Sequence, residues 1–337
     1  MRINYLFCLL LLACCTQHKP ATMPTHTSLP SNSKKYTSPS YLKVGDSVAI
    51  VAPAGILKGR KAGILAAEQL LKSWGLVPVL GQYVFKQNHH FAGTDAERLS
   101  DFQWALDDPS IKAIWCARGG YGSMRIVDDL NFETFKLAPK WVVGYSDITA
   151  IHNAINGLGI ESLHGMMAVN MESKPKAIKR SVETLKNGLF GSLNSYTIAP
   201  NKTNILGKAE GVLTGGNLTL LAAQLGSKTQ IDPRHSILFI EEIGEYKYQI
   251  DRMLQSLKRA GYFEHCTGVI VGDMSQIKPN TTVWGDSTEQ LIANVLKAYN
   301  IPVAFGFPAG HEPENLALIF GRKITLTITN TSTQITF

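Results

Sequence analysis

Residues 141–155 read WVVGYSDITAIHNAI. The first six, WVVGYS, form a β-rich apolar run, and DITAIHNAI continues as a helix, so a strand runs straight into a helix at Ser146. Reading outward, the same alternation repeats. Upstream lies the strand IKAIWCA (111–117), ending in Arg118-Gly119-Gly120-Tyr121-Gly122, and before it the helix AERLSDFQWALDD (96–108). Earlier still come the strand LVPVL (76–80), a helix over 60–74 and the strand SVAIVAPAG (47–55), which ends in a Pro/Gly turn. Strands alternating with helices imply parallel pairing in a doubly wound α/β layer. In such a layer the site lies at the carboxyl ends of the strands.

Downstream, residues 171–208 are polar and rich in Gly and Asn, and read as a connection. A second α/β unit begins near AEGVLTGGNLTLLAAQLG (209–226). It continues through the strand SILFIEE (236–242), a helix near 248–260, the strand TGVIVGD (267–273), a helix near 286–298 and VAFGFPAG (303–310). GRKITLTITNTSTQITF (321–337) alternates apolar and polar residues, as in a closing antiparallel hairpin. The expected organisation is a signal (1–13), a tether (14–44), an N-terminal α/β domain (45–170), a connection (171–208) and a C-terminal domain (209–337).

Of 337 residues, 45% are hydrophobic and 18% charged, which excludes a disordered or collagenous chain. The formal charge is +7. No Asp or Glu precedes Asp46, whereas Arg2, Lys19, Lys34, Lys35 and Lys43 do. Beyond them, 28 basic residues face 26 acidic ones, so the charge gives no support to a nucleic-acid partner. Three of the five cysteines, Cys8, Cys14 and Cys15, sit near the N-terminus; Cys116 and Cys266 lie in apolar contexts. No CxxC pair or His/Cys cluster suggests a metal site.

The first twenty residues, MRINYLFCLLLLACCTQHKP, carry a basic Arg2, an apolar run from Tyr5 to Leu12 and the order Leu11-Leu12-Ala13-Cys14. This is the layout of a secretory signal. It resembles a bacterial lipoprotein signal with Cys14 as the lipidated residue, which implies a periplasmic chain held to a membrane by a lipid anchor without spanning it. A start at Met23 would instead give a cytoplasmic chain.

Four loci sit at the ends of expected strands. Ser146, in Gly144-Tyr145-Ser146-Asp147, stands on a sharp strand-to-helix turn whose N–H groups suit a developing oxyanion. The same serine also fits a helix N-cap, with Asp147 in the first turn. In the Arg118–Ser123 loop three glycines allow close backbone approach, and the spacing is neither GxGxxG nor a P-loop. Arg118 suits a ligand carboxylate or a nearby acid. Glu241 and Glu242 end an apolar strand, where a buried carboxylate needs a partner; a histidine or a structural cation would serve. His311, after VAFGFPAG, suits a general base, with His152 and His164 as rivals. By residue type this is a Ser, a Glu and a His from three separate loops.

IVAPAG, WCARGGYG, VVGYSDIT, LTGGNLTLL, LFIEEIGEYKYQIDRML and FPAGH together resemble the LD-carboxypeptidase family, serine peptidases that include murein tetrapeptide carboxypeptidases and relatives conferring microcin C self-immunity. The blocks run in order from about residue 45 to the C-terminus. The resemblance implies a nucleophile at Ser146, its glutamate at Glu241 and its histidine at His311. It implies an oxyanion hole from backbone N–H groups near Gly119 or Gly120 and at Asp147. It also implies a flavodoxin-like N-terminal domain, a smaller β-rich α/β C-terminal domain, a homodimer and no cofactor. Arg118 is the expected partner of the substrate's terminal carboxylate.

The implied reaction is release of D-alanine from a murein tetrapeptide by hydrolysis of its terminal L,D-amide. Two alternatives stay open. One is an immunity-type peptidase acting on a peptide–nucleotide antibiotic, with Trp284 and Tyr246 as candidate platforms for a base. The other is a lipoprotein solute receptor, which needs no nucleophile. A cysteine hydrolase using Cys116 is disfavoured, because that residue lies inside a strand.

Overall fold

The computed structural model describes residues 36–337. The signal, Cys14 and most of the tether therefore lie outside the described residues. Among the described residues thirteen strands follow one another: β1 (Ser47–Val51), β2 (Val77–Leu80), β3 (Ile111–Cys116), β4 (Trp141–Gly144), β5 (Ser162–His164), β6 (Ser195–Ile198), β7 (Gly207–Asn217), β8 (Ser236–Ile243), β9 (Gly268–Ser275), β10 (Val303–Phe305), β11 (Leu318–Phe320), β12 (Lys323–Ile328) and β13 (Thr333–Thr336).

The first sheet has the order β2-β1-β3-β4-β5-β11. Its first five strands are parallel, in the order of a flavodoxin-like layer. Strands β1, β3 and β4 are near-continuous apolar runs because helices cover both faces of the sheet. Pro78 is tolerated in β2 because that strand is an edge. The antiparallel β11 comes from the far end of the chain and pairs Leu318 with His164 and Phe320 with Ser162.

The second sheet has the order β10-β9-β8-β7-β12-β13-β6. The first four strands are parallel, and the expected C-terminal hairpin is present as β12–β13. The stretch 171–208 contains more than a connection: a helix spans Lys179–Phe190, and β6 pairs with β13 at the sheet edge. Its polar composition had hidden both, since the helix shows water one face and β6 is an edge strand. Cys116 and Cys266 are buried free thiols.

One apolar core joins the two sheets. Val143 and Ile114 of the first pack in the same cluster as Phe239, Ile270 and Leu326 of the second. Gly216, at φ +131°, makes their junction possible. A Cβ there would stand 2.4 Å from Thr149 Oγ1, on the helix that follows Ser146. Without it, the backbone N–H of Asn217 reaches that hydroxyl at 3.0 Å.

Candidate active site

Strand β4 ends at Gly144, and a 3₁₀ turn begins at Ser146 before the helix Thr149–Gly157. The turn is as sharp as the sequence implies. Ser146 has φ +61°, a left-handed conformation costing a non-glycine residue about 1–3 kcal/mol. Gly144 is required at the bend, because a Cβ there would meet Ile148 Cγ1 at 2.8 Å. The N-cap alternative for Ser146 is not realised, since its side chain caps no helical N–H.

Instead, Ser146 Oγ lies 2.9 Å from His311 Nε2. The other ring nitrogen, His311 Nδ1, lies 2.7 Å from Glu241 Oε2. A carboxylate only accepts, so Nδ1 carries the hydrogen and Nε2 is left to accept from the serine. Burial pulls the His311 pKa down, but the charge and hydrogen bond of Glu241, with Glu242 and Asp273 behind them, leave it above the ordinary imidazole value.

Glu241 is fully buried. It stands at a bulge where Ile240 pairs with Val271 and Glu242 with Met274, so Gly272 and Asp273 together face one residue. Bulges of this kind re-aim a side chain. Gly272 also admits the His311 loop: a Cβ there would lie 2.3 Å from the Ala309 carbonyl oxygen, and the Asp273 N–H donates to that oxygen at 2.9 Å. Glu242, the second acid of the pair, has a different task. Its carboxylate accepts from Asn217 Nδ2, from the N–H and hydroxyl of Thr219 and from its own neighbour Ile243 N.

The glycine loop closes over the serine. A Cβ on Gly119 would lie 3.3 Å from Ser146 Cβ and 3.4 Å from the Asp147 nitrogen. The carbonyl of Gly119 accepts from Gly55 N at 2.9 Å, so the antiparallel N–H of Gly120 points away from Gly55. Arg118 is half-buried and donates to the Ile56 carbonyl rather than to a carboxylate. Ser123 is buried and bound to Asp147, which removes it from any role as nucleophile.

The rival histidines are accounted for. His152 is buried between Ser162 Oγ and the Gly144 carbonyl oxygen, each 2.9 Å away, and burial pushes its pKa down to about 4. It braces the elbow from behind. His164 is buried against Phe239 and Phe320, its pKa also lowered by burial. Two neighbours of the site were missed in the sequence. Tyr145 sets its ring 5.0 Å from that of His311. Asp273 is pushed up to about 6 by burial, with Glu312 and Glu241 adding. Asp273 ends an apolar strand in TGVIVGD, the same signal that marked Glu241.

This geometry can be set beside known proteins. The N-terminal-domain model of the LD-carboxypeptidases matches residues 48–165, and their C-terminal-domain model matches residues 210–326. The chain belongs to the LD-carboxypeptidase family. A Bacillus subtilis protein named as a probable murein peptide carboxypeptidase is 35% identical over 86% of this chain and 91% of its own. The crystal structure of muramoyltetrapeptide carboxypeptidase from Oxalobacter formigenes superposes with a TM-score of 0.76 at 28% identity, covering 86% of this chain and 97% of that one. The MccF-like protein of Bacillus anthracis has the same fold, with a TM-score of 0.79 at 23% identity over 89% of this chain and 99% of that one. This LD-carboxypeptidase is thus a peptidase, with a carboxypeptidase role. Among its described residues, no group of three or more His, Cys, Asp or Glu is arranged to hold a metal ion.

Proposed function

We propose that the protein hydrolyses the terminal L,D-amide of murein tetrapeptides and releases D-alanine, with Ser146 as nucleophile, His311 as base and Glu241 as the acid that orients it. The observation that carries this reading is the continuous hydrogen-bonded chain from Ser146 Oγ through His311 to buried Glu241. His311 Nε2 takes the Ser146 proton as Oγ attacks the last amide carbonyl. The N–H groups of Asp147 and of Gly119 or Gly120 receive the oxyanion. His311 then protonates the leaving amine, and water, activated by the same imidazole, clears the acyl-enzyme.

Arg118 pairs with the terminal carboxylate of the substrate in this reading. Among the described residues its guanidinium forms no ion pair, and it lies beside the glycine loop. The test is D-alanine release from a murein tetrapeptide followed by mass spectrometry, with Ser146→Ala alongside. Wild-type release with loss of at least about 10⁴-fold in the variant supports both the reaction and the nucleophile. Cleavage of a peptide–nucleotide conjugate but not of the tetrapeptide would replace the substrate and keep the machinery.

We also propose that the protein acts in the periplasm as a lipid-anchored homodimer. The order Arg2, apolar run, Ala13, Cys14 supports the anchor. Metabolic labelling with a radioactive fatty acid should mark the wild type and not Cys14→Ser.

A further inference from the structure

The backbone N–H of Asp147 belongs to the proposed oxyanion pocket, but its side chain turns inward and is 1% exposed. Asp147 Oδ2 accepts from Ser123 N at 2.8 Å. The hydroxyl of the same serine touches two oxygens of Asp147: the backbone carbonyl at 2.5 Å and Oδ2 at 2.7 Å. Oδ1 has no hydrogen-bond partner among the described residues.

A serine hydroxyl carries one hydrogen and accepts through its lone pairs. If that hydrogen goes to the carbonyl oxygen, the closer contact, then the 2.7 Å contact to Oδ2 lacks a hydrogen unless the carboxyl supplies it. An ionised carboxylate would also be buried with one oxygen bare, an arrangement proteins avoid.

The N–H groups of Ser123 and Gly122 and the Arg98 guanidinium favour a charged Asp147, but the guanidinium is engaged elsewhere. Arg98, from the helix Asp95–Asp107, is the nearby cation. Its Nη1 donates to the carbonyls of Pro53 and Gly122 at 2.6 and 2.8 Å, and its Nη2 pairs with Asp95. The Cys116 thiol, at the end of β3, is held neutral by burial. Burial likewise raises the pKa of Asp147, against the donors of Ser123 and Gly122 and the charge of Arg98.

We propose that Asp147 is a neutral, protonated acid in the folded enzyme, donating Oδ2–H to Ser123 Oγ while the Ser123 hydrogen goes to the Asp147 carbonyl oxygen. The closed ring pins the glycine loop to the nucleophile's turn, which makes the Asp147 side chain and Ser123 positioning groups. It also keeps a full negative charge from standing behind the N–H that receives the oxyanion, where it would oppose the charge developing in the transition state.

The inference stands apart from the substrate assignment, because its readout is spectroscopic. Infrared difference spectra of the full chain against Asp147→Asn are recorded at pH 8, above the value of about 6 to which Asp273 is pushed. The expected result is a deuterium-sensitive carbonyl band of a protonated carboxyl in the wild type that the variant lacks. Carboxylate bands alone in the difference would overturn the proposal. Should Asp147→Asn fail to fold, Ser123→Ala serves instead. Its loss of the acceptor should move the carbonyl band to higher frequency, and an unmoved band would overturn the pairing. Ser123→Ala should also lower kcat about tenfold with KM within twofold. A loss in KM alone, or none, would overturn the positioning role.

Discussion

Ser146, His311 and Glu241 divide the proposed chemistry by environment. The serine is held in a strained left-handed conformation at a strand end, where its hydroxyl stands clear of the helix that follows. The histidine is partly exposed, and the glutamate side chain is fully buried. With the His311 pKa raised, kcat/KM should fall as pH drops through that raised value, because the protonated ring cannot take a proton. Glu241→Gln removes the main opponent of burial. The acid limb should then move to lower pH while kcat falls about 10³–10⁴-fold, as a pH–rate profile of both proteins would check. Arg118→Gln should raise KM for a peptide with a free terminal carboxylate. Losing one charged hydrogen bond is worth about 1.5–3 kcal/mol, so the rise should be about 10- to 100-fold, and a C-terminal amide substrate should not feel the change. The residue types and their chain order were legible in the sequence. The residues alone left His164 open beside His311, and only the family resemblance pointed to His311; burial separates them, because His152 and His164 are sealed in the core and held neutral.

At the scale of elements, the site depends on places where regular structure is interrupted. The bulge opposite Glu241 and the turn at Ser146 each put one side chain where an unbroken strand or helix would not. The junction between β7 and the helix Thr149–Gly157 depends on Gly216. Gly216→Ala combines a conformation unfavourable for any Cβ with a Cβ only 2.4 Å from Thr149 Oγ1. It should cost about 2 kcal/mol or more in urea unfolding and lower kcat by shifting Ser146 relative to His311. Unchanged stability would mean that the two elements separate freely. The LTGGN block was visible in the sequence, but its reason was not. A glycine pair reads the same whether it serves a ligand, a turn or the approach of a helix 68 residues away.

At the scale of the whole molecule, the two sheets are interdependent. Ser146 follows a strand of the first sheet, while Glu241 and the loop carrying His311 belong to the second. In return, the C-terminal part lends β11 to the first sheet, where it covers the edge of β5. A chain ended at residue 208 should therefore expose that edge and part of the shared core. We expect it to aggregate or to lose near-ultraviolet circular dichroism, rather than persist as a folded, inactive half.

The sequence by itself determined the α/β alternation, the carboxyl-terminal strand ends where the chemistry gathers, and the residue types available there. These follow from hydrophobic periodicity and turn chemistry, which act over a few residues. Only the tertiary structure showed that Ser123 is locked on Asp147, that His311 meets Ser146, and how β11 completes a sheet begun far earlier in the chain. The physical reason is separation along the chain. Ser146 and His311 are 165 residues apart, and their meeting depends on sheet pairing and burial that no local pattern encodes.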